Sequence, residues 1–255
     1  MKRIFWGGVA ACALVGSAGA ADLGARRVAV PAAILAPAFD WTGFYLGAHI
    51  GYGFGSTRHV ALNIDAFDGA LLGETIRSSP RGVLGGIHFG YNWQSGNLLA
   101  GLEAELGYSG VTGSRIGSNV QGDVYGSTRY GFTAFVGPRL GFVADRALFY
   151  VKGGLAVATI RNIAADLDGG NTVMDPTATS QVTRTRAGWA IGGGVEYAFA
   201  PNWSARLEYL YSNFGSFTSS DLNGGLYRHT NDVHAVKLGV SYLFRTGPGA
   251  VVARY

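Results

Sequence analysis

Between residues 41 and 55 the chain changes character at every step. Phe44, Leu46, Ala48, Ile50, Tyr52 and Phe54 alternate with Gly43, Tyr45, Gly47, His49, Gly51 and Gly53. A period of two puts the first set on one face of a strand and the second on the other. The pattern returns in seven further segments and ends with Val236, Leu238, Val240, Tyr242 and Phe244 set against Ala235, Lys237, Gly239 and Ser241. It predicts strands near 41–55, 81–94, 98–112, 127–143, 147–161, 184–199, 203–217 and 232–244. Each exceeds the roughly 9–11 residues that a tilted membrane-spanning strand requires.

The connections alternate in length. Ser95-Gly-Asn97, Ala144-Asp-Arg146 and Ala200-Pro-Asn202 read as tight turns, whereas 56–80, 113–126, 162–183 and 218–231 are long and polar. In spanning barrels the short turns face the periplasm and the long loops face outward. The expected fold is therefore all-β: a closed, eight-stranded, antiparallel, up-and-down transmembrane barrel. It has short periplasmic turns, four long external loops and both termini in the periplasm.

Aromatic positions sharpen that expectation. Phe44, Trp93, Phe142, Phe149, Phe199, Trp203 and Phe244 fall on the outward parity near the turns. Tyr52, Tyr108, Tyr130, Trp189 and Tyr211 fall on it near the long loops. Two such belts suit the two interfaces of a bilayer, where amphipathic rings settle at headgroup level. A soluble sandwich explains the alternation but not the belts. Pro138 breaks the strand rule, because it cannot donate to the ladder, and it predicts a bulge near Gly137-Pro138.

Composition agrees. Charged residues make up 14% of the 255, against about 25% in soluble domains. There are 41 glycines, and aromatics reach 13%. Residues 1–20 read as a secretory signal: Lys2 and Arg3, a short apolar core from Ile4 to Val15, and an Ala18-Gly19-Ala20 cleavage site. Val9-Ala-Ala-Cys12 is the weaker alternative, a lipidation site. Cys12, the only cysteine, lies inside the signal and leaves no internal disulfide. Residues 21–40 read as a flexible periplasmic leader, 41–244 as the barrel and 245–255 as a C-terminal tail. The formal charge is +4, with Lys2 and Arg3 supplying two of the positive charges and no Lys/Arg cluster elsewhere, so nucleic acid is not an expected partner.

The inward parity carries the candidate chemistry. Glu103, Glu105, Arg139, Lys152, Glu196, Arg206, Glu208 and Lys237 fall on it at similar counts from the turn ends. A belt is expected, with Glu103 near Arg139, Lys152 near Glu196 and Glu208 near Lys237. Buried charges need partners, and eight strands leave an interior just wide enough for side chains to fill. A structural ion-pair network is the expected reading and a gated polar pathway the alternative. Inward glycines (Gly47, Gly90, Gly131, Gly192 and Gly194) would leave room for water. His49 and His88 fall inward on neighbouring strands, as hydrogen-bonded filling or as a pair that binds a metal or senses mildly acidic pH. Asp166-Leu-Asp168-Gly-Gly-Asn171 lacks the closing Glu of a calcium loop and reads as a polar turn. His229, His234 and Asp232 lie near the outer rim without a nucleophile motif, so no enzyme activity, metal or cofactor is expected.

Trp41-Thr-Gly-Phe-Tyr-Leu-Gly-Ala-His-Ile-Gly-Tyr-Gly-Phe-Gly55 resembles the first strand of the small outer-membrane β-barrel proteins of α-proteobacteria, the immunogenic porin family with an OmpA-like barrel. Gly247-Pro-Gly-Ala-Val-Val-Ala-Arg-Tyr255 resembles their tail. Lys237, Gly239, Tyr242 and Phe244 match the polar-x-Gly-x-x-aromatic-x-aromatic sorting signal read by the barrel-assembly machinery, although here it is followed by residues 245–255. The resemblance implies an abundant outer-membrane protein that supports envelope integrity. Its implied partners are outer-membrane lipid and lipopolysaccharide, the assembly machinery, and host or matrix ligands met through the loops. The alternatives are a small non-specific diffusion channel and an adhesin acting through loops 56–80 and 162–183.

Overall fold

The computed structural model describes residues 39–66, 72–118, 123–168 and 173–245. The expected signal with Cys12, all but the last two residues of the leader, and the tail beyond Arg245 lie outside the described residues. Strands are β1 (Gly43–Ala61), β2 (Thr75–Ser78), β3 (Arg81–Ser95), β4 (Leu98–Ser109), β5 (Thr112–Ser118), β6 (Asp123–Ala144), β7 (Ala147–Asp168), β8 (Val173–Ala200), β9 (Trp203–Ser220) and β10 (Leu226–Arg245).

Eight of them form a barrel-like antiparallel ring. From β1 it passes through β10, β9, β8, β7, β6, β4 and β3, and β3 pairs back to β1. Paired residues spiral around it. A path from Glu196 on β8 through Arg206, Gly239, His49, Gly86, Gly107, Thr133 and Ala158 returns to β8 at Arg186, ten residues from its start. A stagger of that size tilts the strands by about 40°. The two short strands are additions: β2 takes the edge of β1 beyond the end of β3, and β5 takes the edge of β6 beyond the end of β4.

The alternation sorts side chains as its period requires. The seven aromatics near the turns, and Tyr52, Tyr108 and Trp189 at the other end, are all exposed on the outer face. Tyr130 is the exception, buried at 1% exposure and pointing inward. The cause is a bulge. The β6–β7 register shifts between Tyr130 and Thr133, so the inward set passes from Val124, Thr128 and Tyr130 to Phe135, Arg139 and Val143. No bulge sits at Gly137-Pro138. The register is the same at Val136↔Leu155 and Arg139↔Lys152, and Pro138 faces outward opposite Leu102, so the ring loses a ladder bond and keeps its alignment.

Most of the four segments expected as long loops are strand. β1, β7 and β9 run well past the outer aromatics, and β6, β8 and β10 begin well before them. Their alternation continues in smaller and more polar residues: Thr57, His59 and Ala61 inward against Arg58 and Val60. The interior therefore holds three stacked apolar layers. Phe39, Trp41, Leu99, Val143, Leu148 and Leu243 close the turn end. Val111, Tyr130, Phe135, Ile160, Leu210 and Phe214 form the middle layer. Ala61, Ala66, Ile76, Val124, Ala164 and Tyr227 fill the far extension.

Candidate functional site

Between the first two apolar layers lie the eight charges, all buried. β4 contributes Glu103 and Glu105, β6 Arg139, β7 Lys152, β8 Glu196, β9 Arg206 and Glu208, and β10 Lys237. Glu103 is the hub. Its Oε2 accepts from Tyr45 Oη at 2.7 Å, Arg206 Nη1 at 2.9 Å and Arg139 Nη1 at 3.2 Å, and its Oε1 accepts from Lys152 Nζ at 2.7 Å. Lys237 Nζ lies 2.6 Å from Glu105 Oε2 and 2.8 Å from Glu208 Oε1. Tyr150 Oη donates to Glu208 Oε2 at 2.8 Å, and Arg139 Nε to Asn92 Oδ1 at 2.9 Å. The Arg139 guanidinium also lies 4.4 Å from the Tyr45 ring centre. Four acids and four bases are thus joined in one connected, charge-balanced network.

Two expected pairs form, Glu103 with Arg139 and Glu208 with Lys237; the third does not. Lys152 contacts Glu103, Glu105 and Glu208, while Glu196 Oε2 lies 3.4 Å from Arg139 Nη1. The stagger explains this. Counting from the turn end treats neighbouring strands as level, but the ladder sets Lys152 opposite Gly192 and Glu196 opposite Arg206.

The carboxylates of Glu103, Glu105 and Glu208 converge closely enough to suggest a cation position. The Lys152 ammonium already bridges all three, so the network supplies its own cation. The glycines serve the same crowding. A Cβ on Gly47 would strike the His88 ring, on Gly90 the Tyr45 hydroxyl, on Gly192 Leu210 and on Gly194 the Tyr150 hydroxyl. They make room for large side chains rather than for water. Gly131, at the bulge, meets nothing closer than 3.8 Å.

His49 and His88 come together beside Glu105 and Lys237 of the belt, with Nδ1 atoms 3.4 Å apart and rings stacked at 5.6 Å. His88 Nε2 lies 2.8 Å from Ser241 Oγ, which fixes its ring. Beyond them the middle apolar layer leaves a cavity of about 70 Å³, lined by residues including Tyr130, Phe135, Leu210 and Phe214. Of the assembly-signal residues, Lys237 is in the belt, Gly239 packs beside Arg206, and Tyr242 meets Phe244 edge to face at 4.9 Å on the outer face.

A second polar cluster, in the far extension, escaped the sequence reading. His59 Nδ1 and His229 Nδ1 are 2.7 Å apart, His229 Nε2 is 2.8 Å from Ser219 Oγ, and Ser219 Oγ is 2.7 Å from Ser180 Oγ. Below it, Thr128 donates to Asn162 Oδ1 at 2.7 Å, and Thr57 and Asn162 both donate to Asn231 Oδ1. Burial lowers the pKa of His59 to about 4 and that of His229, aided by its neighbour, to about 3. Both imidazoles are neutral at pH 7. His234 and Asp232, 4.0 Å apart, are separate from this chain of hydrogen bonds. The signal for the cluster was present in the period-two placement of His59 and His229, obscured by their position in segments expected to be loop.

A family model described as outer membrane protein beta-barrel domain matches residues 9–244. The chain is 32% identical over 250 residues to the 31 kDa outer-membrane immunogenic protein of Brucella melitensis, covering 96% of this chain and all of that protein. It is 32% identical over 211 residues to the 22 kDa outer membrane protein of Rhizobium leguminosarum, covering 82% of this chain and 80% of that one. The crystal structure of the outer membrane protein OprG from Pseudomonas aeruginosa superimposes with a TM-score of 0.52 at 11% identity, over 82% of this chain and 99% of that one.

Proposed function

Because the chain belongs to the outer membrane protein beta-barrel domain family, we propose that it is a surface-exposed structural barrel of the outer membrane with a sealed interior that supports envelope integrity. The observation that carries this reading is the luminal network, in which four buried acids and four buried bases form ion pairs with one another between two apolar layers. A channel lining would leave such groups facing water. The outer face supports the membrane placement. Ten residues separate Phe44 from Phe54, about 25 Å of height on a strand tilted by 40°, which is the usual height of the lipid-facing apolar band. In this reading the barrel is closed and the three short turns and both termini face the periplasm. Residues 1–20 direct export, and Lys237, Gly239, Tyr242 and Phe244 guide assembly. The strand extensions stand outside, available to ligands.

Deleting the chain from its host should raise sensitivity to detergent and to large antibiotics, and full-length protein should restore resistance. Unchanged sensitivity, in a strain shown to have carried the protein in its outer membrane, would overturn the integrity role.

A further inference from the structure

We propose that Arg81, Arg129 and Arg161 form a binding site for the phosphate groups of an outer-leaflet lipid of the phosphorylated glycolipid type. The proposal rests on the outer-membrane reading above. The ladder aligns these residues in one row across the outer face: Arg81 pairs with Thr112, Thr112 with Arg129, Arg129 with Arg161 and Arg161 with Thr183. All five are exposed.

Arg129 and Arg161 stand directly opposite each other, with Cβ atoms about 5 Å apart, an arrangement that costs stability when both carry the same charge. Among the described residues neither arginine, nor Arg81, is in an ion pair with a carboxylate. The same juxtaposition recurs higher up, where Arg58 pairs with Arg77. An anion between the two guanidinium groups turns this repulsion into attraction.

Three features select phosphate on a lipid. The cations are all arginine, whose planar fork matches phosphate oxygens, while the two lysines among the described residues, Lys152 and Lys237, are luminal. Arg161 Nη2 donates to Gln181 Oε1 at 2.7 Å, which orients the fork, and the Thr112 and Thr183 hydroxyls flank the row. Finally, Arg81 lies two residues beyond Val83 and Arg129 three beyond Phe132, about 7–10 Å along the strands. Val83 and Phe132, with Tyr108, are apolar or aromatic and exposed on the same face. Acyl chains lying on those side chains bring a headgroup phosphate level with the arginines.

The test uses the refolded full chain in phosphatidylcholine nanodiscs, alone, with bisphosphorylated lipid A, or with lipid A stripped of phosphate. Insertion is scored first by the heat-dependent gel shift. Bisphosphorylated lipid A should raise the melting temperature by about 5 °C, as a ligand of the folded state must, and the stripped lipid should not. The variant R81Q/R129Q/R161Q should insert, melt no lower than the parent in phosphatidylcholine alone, and show no phosphate-dependent rise. A rise retained by the variant, an equal rise with stripped lipid, or the same rise from millimolar inorganic phosphate without lipid A would overturn the site. So would a rise produced by a sulfated polysaccharide and not by lipid A. Failure of the parent to insert would overturn the membrane reading and the site with it, whereas insertion without the lipid response overturns the site alone.

Discussion

Glu103 receives hydrogen bonds from Tyr45 on β1, Arg139 on β6, Lys152 on β7 and Arg206 on β9. One carboxylate on β4 thus ties that strand to β1, β7 and β9, none of which pairs with it in the ring. Removing it leaves Arg139, Lys152 and Arg206 with Glu196, Glu105 and Glu208 alone, three acids against four buried bases, a loss of about 3–5 kcal/mol. E103A should lower the temperature at which the folded gel band converts to the unfolded one, and an unchanged conversion would contradict the hub role. The His59–His229 pair gives a pH prediction. Each imidazole has a folded pKa near 4 or 3 against about 6.5 when unfolded. The unfolded chain therefore binds more protons below pH 6.5, so the stability these residues contribute is complete above pH 6.5 and falls as pH drops toward 4. No carboxylate pairs with either ring; the only His–acid pair among the described residues is His234–Asp232. Melting in detergent should decline between pH 6.5 and 4.5, and H59L/H229L should flatten the decline while remaining stable at pH 7. A parallel decline in the variant would assign the effect elsewhere. The identities of the buried charges were legible in the sequence because parity alone decides which side chains point inward. Their partners were not, because partnership depends on the ten-residue stagger, which no single strand encodes.

Strands carry the next lesson through Tyr130 and Pro138. Parity holds along a strand only while the ladder is unbroken. The bulge at Gly131-Phe132 reverses it and takes Tyr130 from the lipid face to the interior, where it closes the middle apolar layer. Pro138 announced a break and made none, since an outward proline can skip one bond without moving its neighbours. The two glycines Gly90 and Gly131 separate these effects experimentally. A Cβ on Gly90 would meet the Leu102 carbonyl and the Tyr45 hydroxyl, so G90A should cost about 1–3 kcal/mol as Tyr45 is pushed from Glu103. G131A should stay within about 0.5 kcal/mol, because that position is open. Urea unfolding in micelles measures both, and equal costs would contradict the packing described. Polarity alone had marked residues 56–61 and 226–231 as loop, yet Thr57, His59, Asn231 and His229 alternate inward and hydrogen-bond across a continued wall. A polar interior hides an alternation that an apolar one displays.

At the scale of the molecule, the ring is a tube filled in layers: apolar at the turn end, ionic above it, apolar again, then hydrogen-bonded and apolar in the extension. Ring architecture and outer face followed from the period of two and the aromatic belts, since both depend on each strand separately. The filling did not, since it needs side chains from every strand at once. Sealing is the central claim, and single-channel recording on the refolded chain in planar bilayers tests it most directly. Bilayers containing verified, folded protein should show no discrete current steps. Reproducible unitary steps would mean that water and ions pass the Glu103 network, and would contradict the sealed interior.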